Sequence, residues 1–274
     1  ILDATQQKMA QDDSVIVMGL DVDDHKGIQG STVGLAEKFG SDRCFSTPLS
    51  EDAMTGVAVG LAISGFKPIH VHIRMDFLLL CMNQLINIAA KCHYTTAGQL
   101  KVPLVIRAMI GRSWGQGSQH SQAFQSFFAH IPGITVVAPS NPHDAKGCLV
   151  SAIETNSPVL MVEHRLLYGT EAYIPREIYK TDLGKARILQ EGKDLTIVAV
   201  SHMVLEASRA AKALNKTGIS VEVIDPVCLK PLDVETIANS VEKTKKLLVI
   251  DNAWLNCGIA GEIMTQVYEI LLQN

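Results

Sequence analysis

The sequence predicts an α/β protein made of two parallel-sheet domains, and three observations carry that prediction. Short β-branched runs alternate with helical patterns almost throughout the chain, which is what parallel strands joined by crossover helices produce. Most of these runs are apolar along their whole length, as strands are when helices cover a sheet on both faces. The third is size: 274 residues, 47% of them hydrophobic, exceed what one ordinary core needs and rule out a disordered chain.

Taken in order, the first half offers strands at residues 14–18, 68–73, 104–109, 134–138 and 158–163. Between the first two, Pro48 breaks the preceding segment, Ser50 offers an N-cap, and Glu51 and Asp52 fall in a first helical turn, where acids complement the helix dipole. The helix that follows contains Ala53, Gly56, Ala58, Gly60 and Ala62. So many small residues lower its intrinsic propensity and let another element or another chain approach closely. A further helix is expected over 78–91. From His164 to about Lys193 the periodicity fades. A second alternation then begins, with strands at 195–200, 220–224 and 246–250 and helices at 204–214, 234–241 and 259–272. The division expected is a first domain over 1–175, a linker over 176–190 and a second domain over 191–274. A sheet usually has about five or six strands, so this three-stranded second domain is expected to continue past residue 274.

Composition excludes several classes of function. The 24 basic and 28 acidic residues give a net charge of −4 with no block of like charge, so nucleic acid and anionic membranes are not expected partners. No apolar stretch approaches the roughly 20 residues a membrane span needs. The N-terminus has neither the basic start nor the apolar core of an export signal. Six scattered cysteines without a C-x-x-C pair read as free thiols in a reducing compartment, the cytoplasm or, in a eukaryote, the mitochondrial matrix. His70 and His72 alternate on a strand, but no Cys or acidic partner stands at ligand spacing, so a metal is not expected there.

Three segments carry candidate chemistry. Gly111-Arg112-Ser113-Trp114-Gly115 matches the G-x-S-x-G of a hydrolase nucleophile elbow. An elbow must pass straight into a helix, whereas this one continues as a polar, glycine-rich loop, so a serine hydrolase is disfavoured. The loop begins at the end of a central strand, where open α/β sheets bind ligands, and it delivers His120. The run Gln119-His120-Ser121-Gln122 is expected to open a helix containing Phe124, Phe127 and Phe128, whose dipole would favour a neutral imidazole fit for proton transfer. A histidine that only hydrogen-bonds within its loop is the competing reading. Phe77 follows a strand and offers either a ring to a planar ligand or plain core packing. Glu51, taken alone, is explained by capping.

Jointly these segments resemble the β subunits of the thiamine-diphosphate-dependent 2-oxoacid dehydrogenases. The resemblance covers nearly the whole chain. It rests on Gly19-Leu20-Asp21-Val22, Thr47-Pro48-Leu49-Ser50-Glu51, Gln84-Leu85-Ile86-Asn87 with Ala89-Ala90-Lys91, Gln119-His120-Ser121-Gln122, and Pro139-Ser140-Asn141 with Asp144-Ala145-Lys146-Gly147. Glu163, Tyr168-Gly169, Ser201-His202-Met203-Val204 and Pro231-Leu232-Asp233 continue it.

The resemblance implies a transketolase-like pyrimidine-binding domain followed by a transketolase C-terminal-like domain. It implies that Glu51 shares a proton with the aminopyrimidine ring of thiamine diphosphate, that Phe77 stacks on that ring, and that His120 assists proton transfer and meets an incoming lipoyl group. It further implies Mg²⁺ at the diphosphate and a K⁺ held by backbone carbonyls near Leu104, Ala152 and Thr155. Family members hold the diphosphate and Mg²⁺ with a Gly-Asp-Gly motif that this sequence lacks. An α subunit is therefore expected to supply it, in a heterotetramer of two α and two β chains. A lipoyl-bearing acyltransferase and a small 2-oxo acid are the other implied partners. The sequence departs from the family where Leu20 and Val71 replace frequent acids that link paired sites, and where Arg74 and Arg112-Ser113-Trp114 differ from the common pyruvate form. Two other readings are half of a split transketolase acting on sugar phosphates and a noncatalytic scaffold subunit.

Overall fold

The computed structural model describes residues 1–112 and 115–273. Eleven strands are present among them: β1 (Val15–Gly19), β2 (Cys44–Ser46), β3 (Lys67–His72), β4 (Val105–Ile110), β5 (Thr135–Val137), β6 (Val159–His164), β7 (Arg187–Gln190), β8 (Leu195–Ala199), β9 (Val221–Asp225), β10 (Cys228–Lys230) and β11 (Leu247–Ile250). The helices of the first half are α1 (Leu2–Gln11), α2 (Gly27–Gly30), α3 (Leu35–Phe39), α4 (Glu51–Ile63), α5 (Ala90–Thr95), α6 (Gln125–Ala129) and α7 (Pro142–Glu154). Those of the second are α8 (Met203–Asn215), α9 (Val234–Thr244) and α10 (Ile259–Gln273).

Two sheets organise the molecule, as expected of a two-sheet α/β chain. The first has seven strands in the order β10-β5-β6-β4-β3-β1-β2, and the second has four in the order β11-β8-β9-β7. Every pairing is parallel except β10 with β5 and β7 with β9. The strands β1, β4 and β6 are buried along their whole length. That is why they read as unbroken apolar runs.

The second sheet has four strands rather than the three expected. Its extra member, β7, lies inside the stretch read as a linker and is half exposed, so its sequence lacks a buried-strand pattern. The strand β10 is the other surprise. It leaves the second half of the chain to pair with β5 at the edge of the first sheet. One apolar core continues across both halves, from Leu104 just before β4 and Ile106 on it to Val198, Ile224 and Ile263.

The helix expected over 78–91 is not a single α-helix. A 3₁₀ segment runs Met75–Cys81, a π segment runs Asn83–Ala89, and only then does α5 begin. Met75, Leu78 and Cys81 are all buried, and their three-residue spacing is the period of a 3₁₀ turn, not of an α-helix. Burial of that stripe sets the local winding.

Candidate active site

The strand order reverses between β1 and β3: the chain moves from β1 outward to β2, then returns to place β3 on the other side of β1. At such a switch point the loops beyond the carboxyl ends of the strands part and leave a crevice. A cavity of about 380 Å³ occupies it, lined by Leu20 after β1, Glu51 and Met54 of α4, the end of β3 through Arg74, then Phe77, Gln116 and His120. Glycine is required beneath it, because a Cβ on Gly19 would stand 2.4 Å from the Val71 carbonyl oxygen.

Glu51, Phe77 and His120, far apart in sequence, therefore share one wall. Glu51 is the first residue of α4 and is half-buried. Among the described residues its carboxylate has no hydrogen-bond or ion-pair partner. The Phe77 and His120 rings meet edge to face at 5.3 Å between centroids, a favoured aromatic geometry. Ser50 sits at the N-cap but its side chain caps nothing; its hydroxyl instead reaches Asp52 at 3.4 Å. The expected cap bond is thus absent, and Glu51 keeps its place through the chain direction at Pro48 and the helix start.

His120 does not open an α-helix. It closes a 3₁₀ turn, Ser118–His120, and α6 begins only at Gln125. The reason lies in two residues after β3. The Arg74 Nη2 donates to the Gly111 carbonyl at 2.8 Å, and its Nε pairs with Asp76 at 3.4 Å. The Asp76 Oδ1 in turn accepts from both the backbone N–H and the side-chain amide of Gln122, at 3.1 and 3.0 Å. Arg74 and Asp76, both almost fully buried, thus hold the two ends of the loop that carries His120. Ser113 and Trp114 of the elbow-like motif lie outside the described residues. Sequence reading flagged Arg74 as unusual and named Gln122 within the His120 run, but missed Asp76 and the bond that joins it to Gln122. The only signal available was an arginine two residues before an acid at a strand end.

The floor of the site is histidine and hydrocarbon. His70 accepts or donates at Thr55 Oγ1 (3.2 Å), and its Nδ1 faces the Met18 carbonyl at 3.4 Å. A carbonyl requires a donor, so Nδ1 carries the proton. The His72 ring lies 4.3 Å from that of His70, and its Nε2 is buried without a partner among the described residues. Burial drives His70 down to about 4, and burial followed by the neighbouring His70 drives His72 well below its ordinary value. Both rings are neutral near neutrality. Leu20 and Val71 leave the same wall apolar.

The carbonyl-bearing residues expected near a K⁺ lie at the opposite end of the first sheet. The Leu104 carbonyl accepts from Val159 N–H at 2.9 Å, and the Ala152 carbonyl accepts from the Thr155 backbone and hydroxyl at 3.3 and 3.0 Å. The Leu104 oxygen keeps a second lone pair, whereas the Ala152 oxygen already accepts two bonds. No group of three or more His, Cys, Asp or Glu side chains among the described residues is placed to hold a metal.

Comparison with known proteins bears on the fold and the family. The family model described as the transketolase pyrimidine-binding domain matches residues 1–171, and that of the transketolase C-terminal domain matches 184–274. The β subunit of acetoin:2,6-dichlorophenolindophenol oxidoreductase from Cupriavidus necator is 43% identical, over 97% of this chain and 82% of its own. The pyruvate dehydrogenase E1 component β subunit of Porphyra purpurea is 40% identical, over 98% of this chain and 81% of its own. The mitochondrial pyruvate dehydrogenase E1 component subunit beta-1 of Oryza sativa subsp. japonica is 40% identical, over 97% and 72%. A solved structure, a split-gene transketolase described as an inactive β4 tetramer, superimposes with a TM-score of 0.82 over 98% of this chain and 82% of that one. At 23% identity that likeness speaks for the fold alone. The chain belongs to the transketolase-type family of thiamine-dependent dehydrogenase β subunits, the group that contains the pyruvate dehydrogenase and acetoin oxidoreductase β chains.

Proposed function

We propose that this chain is the β subunit of a thiamine-diphosphate-dependent 2-oxoacid dehydrogenase. It would work with an α subunit to decarboxylate a small 2-oxo acid and pass the acyl unit to the lipoyl group of an acyltransferase. The observation that carries the proposal is the convergence of Glu51, Phe77 and His120 on one cavity at the switch point.

The residues present fit the cofactor's pyrimidine end. A carboxylate without a protein partner, an aromatic face and an apolar wall are what a flat, protonatable ring requires. Bound thiamine diphosphate supplies the electron sink for decarboxylation. Glu51 holds a proton shared with a ring nitrogen, and Phe77 offers the surface on which the ring lies. His120, fixed by the Arg74–Asp76 clamp, gives or takes a proton at the substrate oxygen. Leu20, Met54 and Val71 exclude water from the reacting centre.

Because the sequence contains no Gly-Asp-Gly, we assign the diphosphate and Mg²⁺ to an α partner, in a heterotetramer. Leu104, Ala152 and Thr155 are the residues we assign to a structural K⁺. Residues 1–175 form the pyrimidine-binding unit in this reading, and the second unit begins before residue 191, because β7 belongs to its sheet. Five of the six cysteines are buried free thiols, which suits the cytoplasm or a mitochondrial matrix.

Reconstitution with the α chain tests the reading. Carbon dioxide release from a 2-oxo acid is expected only with thiamine diphosphate and Mg²⁺ present. Glu51→Gln is expected to lower kcat by on the order of a hundredfold or more; unchanged turnover in that variant overturns the assignment.

A further inference from the structure

We infer that Arg74, with His72 beside it, selects a carboxylate-bearing substrate over a neutral hydroxyketone at this cavity. The inference rests on the site reading proposed above and names the group that reads the substrate.

Arg74 lines the same cavity as Glu51, Phe77 and His120, yet only 4% of its surface is exposed. Two of its three nitrogens are committed, Nε to Asp76 and Nη2 to the Gly111 carbonyl. The third, Nη1, is buried and has no hydrogen-bond partner among the described residues. The guanidinium is planar and rigid, so anchoring two nitrogens fixes the direction of the third. Nor is its charge fully answered. Asp76 is its salt-bridge partner, at 3.4 Å, and the other carboxylate oxygen already accepts two bonds from Gln122. The positive field reaches neighbouring groups: after burial it lowers the basicity of Arg165, and after burial and the neighbouring His202 it adds to the lowering of that of His164.

A second buried nitrogen without a partner among the described residues lies on the same strand end. His72 is 6% exposed, lines the cavity, and leaves Nε2 unpartnered among the described residues, whereas His70 beside it is held by Thr55 and Met18. The surrounding wall of Leu20, Met54, Val71 and Ile73 is hydrocarbon. In such surroundings an incompletely paired cation attracts an anion far more strongly than it would in water, and a charge-assisted bond to a carboxylate is the strong kind. A neutral ligand leaves the same nitrogens unanswered. Pyruvate and acetoin, the molecules named in this chain's relatives, differ in that respect: one carries a carboxylate and the other does not.

The test uses the reconstituted complex loaded with thiamine diphosphate and Mg²⁺, assayed with pyruvate, its longer-chain homologues and acetoin. Wild type is expected to favour an oxo acid. Arg74→Met is expected to lower kcat/KM for the best oxo acid by on the order of ten- to a hundredfold, mainly through KM, and to lower that for acetoin by less. Arg74→Lys should recover part of the preference, and His72→Phe should reduce it by a smaller factor. Because Arg74 also holds the His120 loop, the decisive quantity is the ratio of the two kcat/KM values, which a purely structural loss leaves unmoved. Equal losses for both substrates in Arg74→Met, or a wild type that prefers acetoin, overturn the inference. Where turnover is lost in a variant, fluorescence titration of the loaded complex with pyruvate and with acetoin reads the same ratio. Calorimetry separates the two levels: a wild-type complex that binds no cofactor removes the site reading itself, and this inference with it.

Discussion

Arg107 shows how much of the first sheet's support rests on single residues that carry no sequence mark. It stands in the middle of β4, 1% exposed, where an apolar strand was expected. Its Nε and Nη2 pair with the two oxygens of Glu163 at 2.6 and 2.9 Å, Nη2 also donates to Ser31 at 2.8 Å, and the Tyr168 hydroxyl donates to Glu163. Burial pushes Glu163 upward, but the Arg107 charge and these bonds hold it net below its ordinary value. Removing one partner strands the other. Arg107→Met is expected to cost about 3–5 kcal/mol, read by urea unfolding at neutral pH, whereas the double variant Arg107→Met/Glu163→Leu should recover much of that loss. A single variant within about 1 kcal/mol of wild type would show the pair to be dispensable. The sign with pH follows. A depressed carboxylate contributes stability above its unfolded value and loses it as pH falls, so wild type should lose part of its advantage over the double variant in acid. Glu51 and His120 were legible because each sits in a multi-residue pattern. The roles of Arg107 and Asp76 were not, because the partners that reveal them lie 46 to 76 residues away.

At the scale of elements, the buried strands were legible almost to the residue. The expected 104–109 and 158–163 became Val105–Ile110 and Val159–His164. What failed to show were β2, β7 and β10, three or four residues long. Such edge strands exist because a neighbour pairs with them, and their own side chains carry too little pattern. The helix α4 poses the opposite case: its position was legible but its composition works against it. Gly60 has open space where a Cβ would go, and Gly56 has only the Gln84 side chain at 3.8 Å, while Val57 and Ile63 are exposed. A small-residue face left bare in one chain is explained if the α subunit covers it. Gly60→Ala is then expected to raise the stability of the isolated chain by up to about 1 kcal/mol through helix propensity, yet to weaken association with α. Thermal melts of the chain alone and sedimentation of the mixture read the two effects separately. Unimpaired assembly would remove α4 from the interface.

The whole molecule is stitched across its two sheets rather than hinged between them. The strand β10 pairs with β5, the Ala138 N–H donates to the Val227 carbonyl at 2.8 Å, and Gln125 reaches Asp251 at 3.1 and 3.0 Å. At the centre of this seam Asp225, at the end of β9, accepts from Ser140 of the first half and from the Val227 N–H. Burial raises this carboxyl from 3.8 to about 7, with nearby Asp144 adding to the rise and the Ser140 and Val227 bonds opposing it. A carboxyl whose folded value is raised contributes stability that is full below 3.8 and is lost as pH climbs through about 7. Above that point the seam must hold a buried charge or yield. Asp225→Asn, which keeps the shape but cannot ionise, is therefore expected to gain on wild type as pH rises from about 5 to about 8. Because both halves share one core, the gain should appear as a shift of a single unfolding transition and not of one domain's alone. Parallel stability curves for the two proteins across that range would show that Asp225 does not titrate in the folded seam.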